Sequence, residues 1–315
     1  MSGTKRSFFE QLTKGRGACL APMAGFTDSA FRLLCSENNA LFTVSEMVSA
    51  KALCYENAKT LEMLKILDGE APCGVQIFGS EEESMSESVK RWLNSTNFSF
   101  IDINCGCPVR KVVSTGAGSA LLSDLPKLAR IAAAVVKASS KPVSAKIRIA
   151  VGGKDVGVEA AKVLEQSGVG MVAVHGRSRE QFYSGKANLD AIAKVADSCE
   201  IPVVGNGDVD SVESYEYMES YTGCASVMVG RGALGNPMLF RQIAGCTALY
   251  SAKEAANRHF SLSLETKPEQ RAIKEFRAHF MHYSKGCPNA AKLRSAISMA
   301  AAPQEVFSLI GQISQ

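Results

Sequence analysis

Eight short apolar runs, rich in β-branched residues, recur between residues 18 and 232, and segments of helical periodicity separate them. The runs are ACLAPMAG (18–25), LFTVSEMV (41–48), CGVQIFG (73–79), FSFIDINCGCP (98–108), PVSAKIRIA (142–150), VGMVAVHGR (169–177), IPVVGNGD (201–208) and ASVMVGRG (225–232). LPKLARIAAAVVKAS (125–139) is the clearest connecting helix, with Leu128, Ile131, Ala132, Val135 and Val136 on one face. Strand then helix, eight times over, predicts an α/β fold: a (β/α)8 TIM barrel. At 315 residues the chain holds such a barrel plus a small second domain. We expect a 1–17 N-terminal extension, a barrel over 18–245 and a small C-terminal all-helical domain over 250–315.

Each run ends in something polar or glycine-rich: Pro22-Met23-Ala24-Gly25, Glu46, Gln76, Asn104, Lys146 and Arg148, His175 and Arg177, Asn206-Gly207-Asp208, and Gly230-Arg231. The C-terminal ends of barrel strands form the active-site mouth, so these residues are expected to converge there. Taken singly, Gln76 reads as an edge residue satisfying a loop, and His175 as a histidine bonded to backbone. Lys146 is different. It sits inside a run that should be buried, where an unpaired ammonium is costly and needs a partner or a bound anion. The glycine-rich tips of the seventh and eighth runs suit a phosphate, which backbone N–H groups can approach and Arg231 can bind with its charge. GRGALG lacks the strand–turn–helix context of a dinucleotide fingerprint, so the expected ligand is a mononucleotide-type cofactor with one phosphate.

The fourth run carries two cysteines, Cys105 and Cys107, in Cys-x-Cys spacing. That spacing is not the usual one for zinc and would strain a disulfide; a third reading, a reactive thiol displayed at a strand tip, needs support from the rest of the chain. All ten cysteines are scattered and no CxxC pair occurs, so no metal site is expected and the chain reads as reducing and cytoplasmic. No apolar stretch approaches a membrane span, and the first residues lack the apolar core of a secretory signal. The net charge of +4 lies wholly beyond Ser251, where nine Lys and Arg face five Glu and no Asp. On charge alone that is a solvated helical face; a polyanionic partner becomes attractive only if the site asks for one.

The segments LAPMAGFTDSAFRLLC, SEMVSAKAL, VQIFG, DINCGCPVRKVVSTGAGSALL, KIR, VHGRSREQFYSGKA, VVGNGD and VMVGRGALGNPMLF together resemble the tRNA-dihydrouridine synthases, in order and spacing over about residues 18–242. RAHFMHYSKGCPNAAKLRSAI (277–297) resembles more weakly that family's helical RNA-binding part. The resemblance implies an FMN enzyme that reduces uridine in tRNA to 5,6-dihydrouridine with NADPH or NADH. It implies that Pro22, Met23 and Ala24 line the flavin, that Gln76 bonds its ring edge, and that Lys146 lies near its N1/O2 side. Asn206, Gly207, Asp208, Gly230 and Arg231 would hold the phosphate, with His175 a further contact. Cys107 matches the family's proton donor; Asn104, Arg148 and Arg177 would face the uracil. The uracil C5=C6 bond is conjugated to the C4 carbonyl, so hydride from flavin N5 goes to C6 and a thiol proton to C5.

A base in folded RNA must be unstacked to reach such a site, which gives the basic tail a role: Arg277, Lys285 and Arg294 would hold phosphates. Two rival readings stay open. One is a flavin barrel acting on a free pyrimidine, as a dihydroorotate or dihydropyrimidine dehydrogenase does; the other is a catalytically silent tRNA-binding protein. The glycine-bearing segment 112–124 reads as a lid over the site, with an inert connector to the next helix as the alternative, and no stable protein partner is expected.

Overall fold

The computed structural model describes residues 2–70 and 72–314, with side chains from Ser7 onward. The ends of the expected extension and helical domain, Met1 and Gln315, lie outside the described residues. The strands are β1 (Ala18–Leu20), β2 (Thr43–Val44), β3 (Val48–Ser49), β4 (Cys73–Phe78), β5 (Phe100–Cys105), β6 (Val143–Arg148), β7 (Ala150–Val151), β8 (Lys154–Asp155), β9 (Met171–His175), β10 (Val203–Asn206) and β11 (Ser226–Val229). Parallel pairing runs β1–β2–β4–β5–β6–β9–β10–β11 and returns to β1, closing an eight-strand barrel. The antiparallel β7–β8 pair is a small hairpin beyond β6.

The second run is interrupted rather than continuous. Its two halves, β2 and β3, both pair with β4. At the break, the Ser45 hydroxyl accepts the Gln76 N–H at 3.0 Å, so a side chain stands in for a strand carbonyl. The freed Glu46 carboxylate accepts the Gly25 N–H at 2.5 Å, tying the first strand tip to the second.

Alternation along the strands sorts their side chains. Ile101, Ile103 and Cys105 point outward into the layer between barrel and helices, where Leu128, Ile131, Ala132 and Val135 of the helix Leu125–Ala138 meet them. Asp124 caps that helix, accepting the Lys127 N–H at 3.0 Å. Phe100, Met171, Ala173, Val204 and Met228 fill the barrel interior. The N-terminal extension is itself a helix (Ser2–Leu12), and its Phe9 is fully buried against Phe100, ring centroids 5.4 Å apart. It plugs the end of the barrel opposite the mouth.

Helices Ala252–Thr266, Glu269–Tyr283, Ala290–Met299 and Pro303–Ile310 build a second core around Phe260, Phe276, Phe280, Leu293 and Val306. This all-helical C-terminal domain grips the barrel through the helix Ser29–Glu37. Lys267 bonds Asp28 and, at 2.5 Å, Glu275, while Arg258 reaches Glu37 at 2.6 Å. His259 and His279 pack against Phe31 with tilted rings, centroids 5.2 and 5.0 Å away. Burial keeps both imidazoles neutral, pushing His279 down to about 4. Ligating atoms of Asp28, His259 and His279 lie within 4.8 Å of one another, and the cation that Asp28 holds there is the Lys267 ammonium. Gly235, at φ +75°, lets the last barrel loop run against this domain; a Cβ there would lie 2.6 Å from the His282 carbonyl carbon. Among the described residues no helix is long and apolar enough to cross a membrane.

Candidate active site

A cavity of about 920 Å³ opens at the C-terminal ends of the strands. Pro22, Met23, Ala24, Gln76, Asn104, Cys107, Lys146, Arg148, His175, Arg177, Asn206, Gly207, Asp208, Gly230 and Arg231 all line it. The structure therefore brings together every residue assigned from sequence to cofactor, uracil or proton donation. Of the three basic residues assigned to RNA, Lys285 alone lines the cavity, beside His282. Arg277 donates to the Ala300 carbonyl at 2.9 Å within the helical domain, and Arg294 is half-buried with its Nε unpartnered.

Cys107 sits on a turn held from three sides. The Asn104 Oδ1 accepts the N–H groups of Gly106 and Cys107 at 3.2 and 2.9 Å. The Arg148 Nε donates to the Gly106 carbonyl at 2.9 Å, and its Nη1 to the Ser178 carbonyl at 2.7 Å. Ser119 donates its N–H and hydroxyl to the Cys107 carbonyl at 3.0 and 2.9 Å. Segment 112–124 thus differs from the expected lid. Ala117, Ser119, Leu121 and Leu122 are buried, and Gly118, at φ +60°, packs where a Cβ would meet the Cys107 carbonyl at 2.9 Å. The segment is a fixed bracket, because its apolar residues belong to the core. Burial pushes the Cys107 thiol up, while the neighbouring Arg148 charge acts the other way.

The opposite wall is cationic. The Lys146 Nζ donates to Asn206 Oδ1 at 2.9 Å, and Asn206 Nδ2 donates to the Met228 carbonyl at 2.7 Å. Burial, helped by Arg148, brings the ammonium down to about 8. His175 is held far below its usual range by burial and by Lys146, Arg148, Arg177 and Arg231, so it is neutral at every ordinary pH. Arg177, 2% exposed, donates to both Asp208 oxygens at 2.7 and 2.8 Å and to the Ser184 and Gly185 carbonyls. Its Nη1 is buried without a partner. Tyr183, more than half exposed, lies under Arg231 at 4.8 Å and Arg148 at 5.8 Å.

Two interior residues were not singled out from sequence. Asp102 accepts from Gln76 Nε2 at 2.7 Å and from the Ser144 hydroxyl at 2.6 Å. Burial raises its carboxyl to about 6 against the pull of those bonds and of Lys146. The signal was present: Asp102 is two residues before Asn104 in a strand expected to be buried, the argument already applied to Lys146. Ser144 stands in the same relation to Lys146.

Residues 19–314 match the family model described as "Dihydrouridine synthase (Dus)". A "Probable tRNA-dihydrouridine synthase" of Rickettsia conorii is 36% identical over 93% of this chain and 92% of its own length. The "tRNA-dihydrouridine synthase B" of Xanthomonas axonopodis pv. citri is 35% identical over 92% and 90%. Among solved structures, "Crystal structure of TcOYE with pHBA" superposes with a TM-score of 0.55 at 12% identity, over 72% of this chain and 88% of that one, a likeness of fold alone. Fold, cavity and relatives agree: the chain belongs to the dihydrouridine synthase family.

Proposed function

We propose that the protein reduces uridine in tRNA to 5,6-dihydrouridine, with FMN as resident cofactor and NADPH or NADH as electron source. The observation that carries this reading is the placement of the Cys107 thiol in one cavity with the cationic Lys146–Asn206 wall. The residues fit a flavin mononucleotide. At Gly230 a Cβ would stand beside Ala21 and Met23, at 3.7 and 3.8 Å, and a larger side chain would take up cavity space. Lys146, Arg177 and Arg231 supply charge for an anion, and the buried Arg177 Nη1 still lacks a partner. Bound FMN would supply the hydride for C6.

The chain's own residues do the rest. Burial keeps the Cys107 thiol protonated at neutral pH, ready to give its proton to C5. As the proton leaves, Arg148 favours the thiolate that forms, an interaction stronger after transfer than before it. Asn104 and Arg148 fix the turn on which the thiol sits. The charged Lys146 polarises whichever carbonyl or anionic ring edge faces it.

The reading is tested by mixing anaerobic, NADPH-reduced protein with unmodified tRNA and with free uridine, and following reoxidation of the flavin. Reoxidation by tRNA is expected. Reoxidation by the free pyrimidine alone would support the dehydrogenase-like alternative; tRNA retention without reoxidation would support the silent binder.

Two results follow from the geometry. Lys146 loses its charge as pH rises through about 8, so turnover is expected to fall by about tenfold per pH unit above the working value. A Lys146→Met variant is expected to be slower and to lack that alkaline limb. Lys285→Glu, at the rim, is expected to weaken tRNA binding and flatten its logarithmic salt dependence by about one unit, leaving FMN content unchanged. Filter binding across a salt series reads this directly.

A further inference from the structure

We infer that Asp102 is a positioning residue that sets the direction of a hydrogen-bond chain ending at the Cys107 turn. The chain is continuous. Ser144 Oγ and Gln76 Nε2 donate to Asp102, Asn104 Nδ2 donates to Gln76 Oε1 at 2.7 Å, and the N–H groups of Gly106 and Cys107 donate to Asn104 Oδ1. Gln76 and Asn104 are carboxamides, which can each turn over and exchange donor for acceptor. The two backbone N–H groups at the far end can only donate. At the near end stands the one side chain of the four that, when ionised, can only accept.

That carboxylate requires Gln76 to present its NH2 inward and its oxygen outward. Asn104 must then offer its NH2 to Gln76, which leaves its oxygen for the turn. Reversing Asn104 would set donor against donor at the turn, and reversing Gln76 would set acceptor against acceptor at Asp102. Asp102 is 3% exposed, Gln76 1% and Asn104 8%, so water does little to blur the choice. The carboxylate therefore specifies the turn from two residues' distance without touching the thiol. The consequence for turnover rests on the reading of Cys107 as proton donor; the consequence for the turn does not.

The test uses thiol alkylation of the intact protein by iodoacetamide at fixed pH, with Cys107 modification read by peptide mass. Asp102→Asn keeps shape and fold but replaces the acceptor-only group with one that faces Gln76 either way. It is expected to speed Cys107 alkylation about fivefold or more, the equivalent of losing one hydrogen bond. Dihydrouridine formation should slow by about tenfold to a hundredfold at saturating tRNA, with KM for tRNA unchanged, as a misplaced reacting group implies.

Asn104→Asp supplies a carboxylate that accepts from both turn amides by itself. In that background Asp102→Asn should leave the alkylation rate unchanged, whereas a purely electrostatic effect of Asp102 on the thiol would persist. An Asp102→Asn protein with wild-type alkylation, or one whose alkylation change is equal in both backgrounds, would overturn the inference. Altered alkylation in a protein that makes no dihydrouridine would uphold the chain and count against the assigned function.

Discussion

Replacing Cys107 with alanine is expected to leave a folded, flavin-binding protein whose dihydrouridine formation falls by about 10²–10⁴-fold, the usual weight of a positioned general acid. The backbone of the turn makes the bonds to Asn104, Arg148 and Ser119, so removing the sulfur disturbs none of them. Cys105→Ala is expected to stay within about twofold of wild-type turnover and to cost about 1 kcal/mol of stability. Cys105 belongs to the outward layer with Ile101 and Ile103, is fully buried, and has its thiol pushed far up by that burial. Steady-state rates on unmodified tRNA separate the two. Equal loss in both variants would remove Cys107 as sole donor.

The second large effect concerns stability. Arg32 and Glu70 form an ion pair at 2.7 Å with side chains 3% and 0% exposed. Arg32 also donates to the Thr27 and Lys65 carbonyls, and Glu70 accepts the Leu67 N–H, so the pair fastens the segment before β4 to the helix Ser29–Glu37. Glu70→Ala strands a buried guanidinium and is expected to cost about 3–5 kcal/mol. The double change Arg32→Met with Glu70→Leu is expected to recover part of that loss, since an apolar pair needs no desolvation but leaves the Thr27 and Lys65 carbonyls and the Leu67 N–H without their side-chain partners. Urea midpoints at unchanged slope measure both. A single variant within about 1 kcal/mol of wild type would mean that solvent reaches the guanidinium.

The barrel was legible because its signal is repetitive: eight apolar runs, each with a polar tip, leave little choice of topology. The mouth was legible for the same reason, since the tips share one end. What escaped was local. Nothing in SEMV announces that Ser45 will replace a backbone acceptor and split the strand, because the exchange needs Gln76 across the sheet. The bracket over 112–124 reads as a lid from its glycines; only the tertiary burial of Leu121 and Leu122 shows it to be fixed. The charge of the basic tail is also less free than its count implies: Arg271 pairs with Glu62 at 2.7 Å and with Glu275 at 2.8 Å, partners remote and near in the chain. Asp102 follows from the same period-two logic as Asn104, but it lies one layer beneath the strand tip, where its partners Gln76 and Ser144 come from neighbouring strands.

The two thiols of INCGCP are thus unlike. One is packing; the other is held on a turn whose every anchor is backbone or buried side chain. The most direct measurement is the number of dihydrouridines per molecule in unmodified tRNA, by mass spectrometry of nuclease digests, after incubation with purified FMN-loaded protein and NADPH. Wild-type protein is expected to bring that number close to one or a small whole number, and Cys107→Ala to leave it near zero. Unchanged tRNA after incubation with folded, flavin-bearing wild-type protein would contradict the function proposed for this cavity.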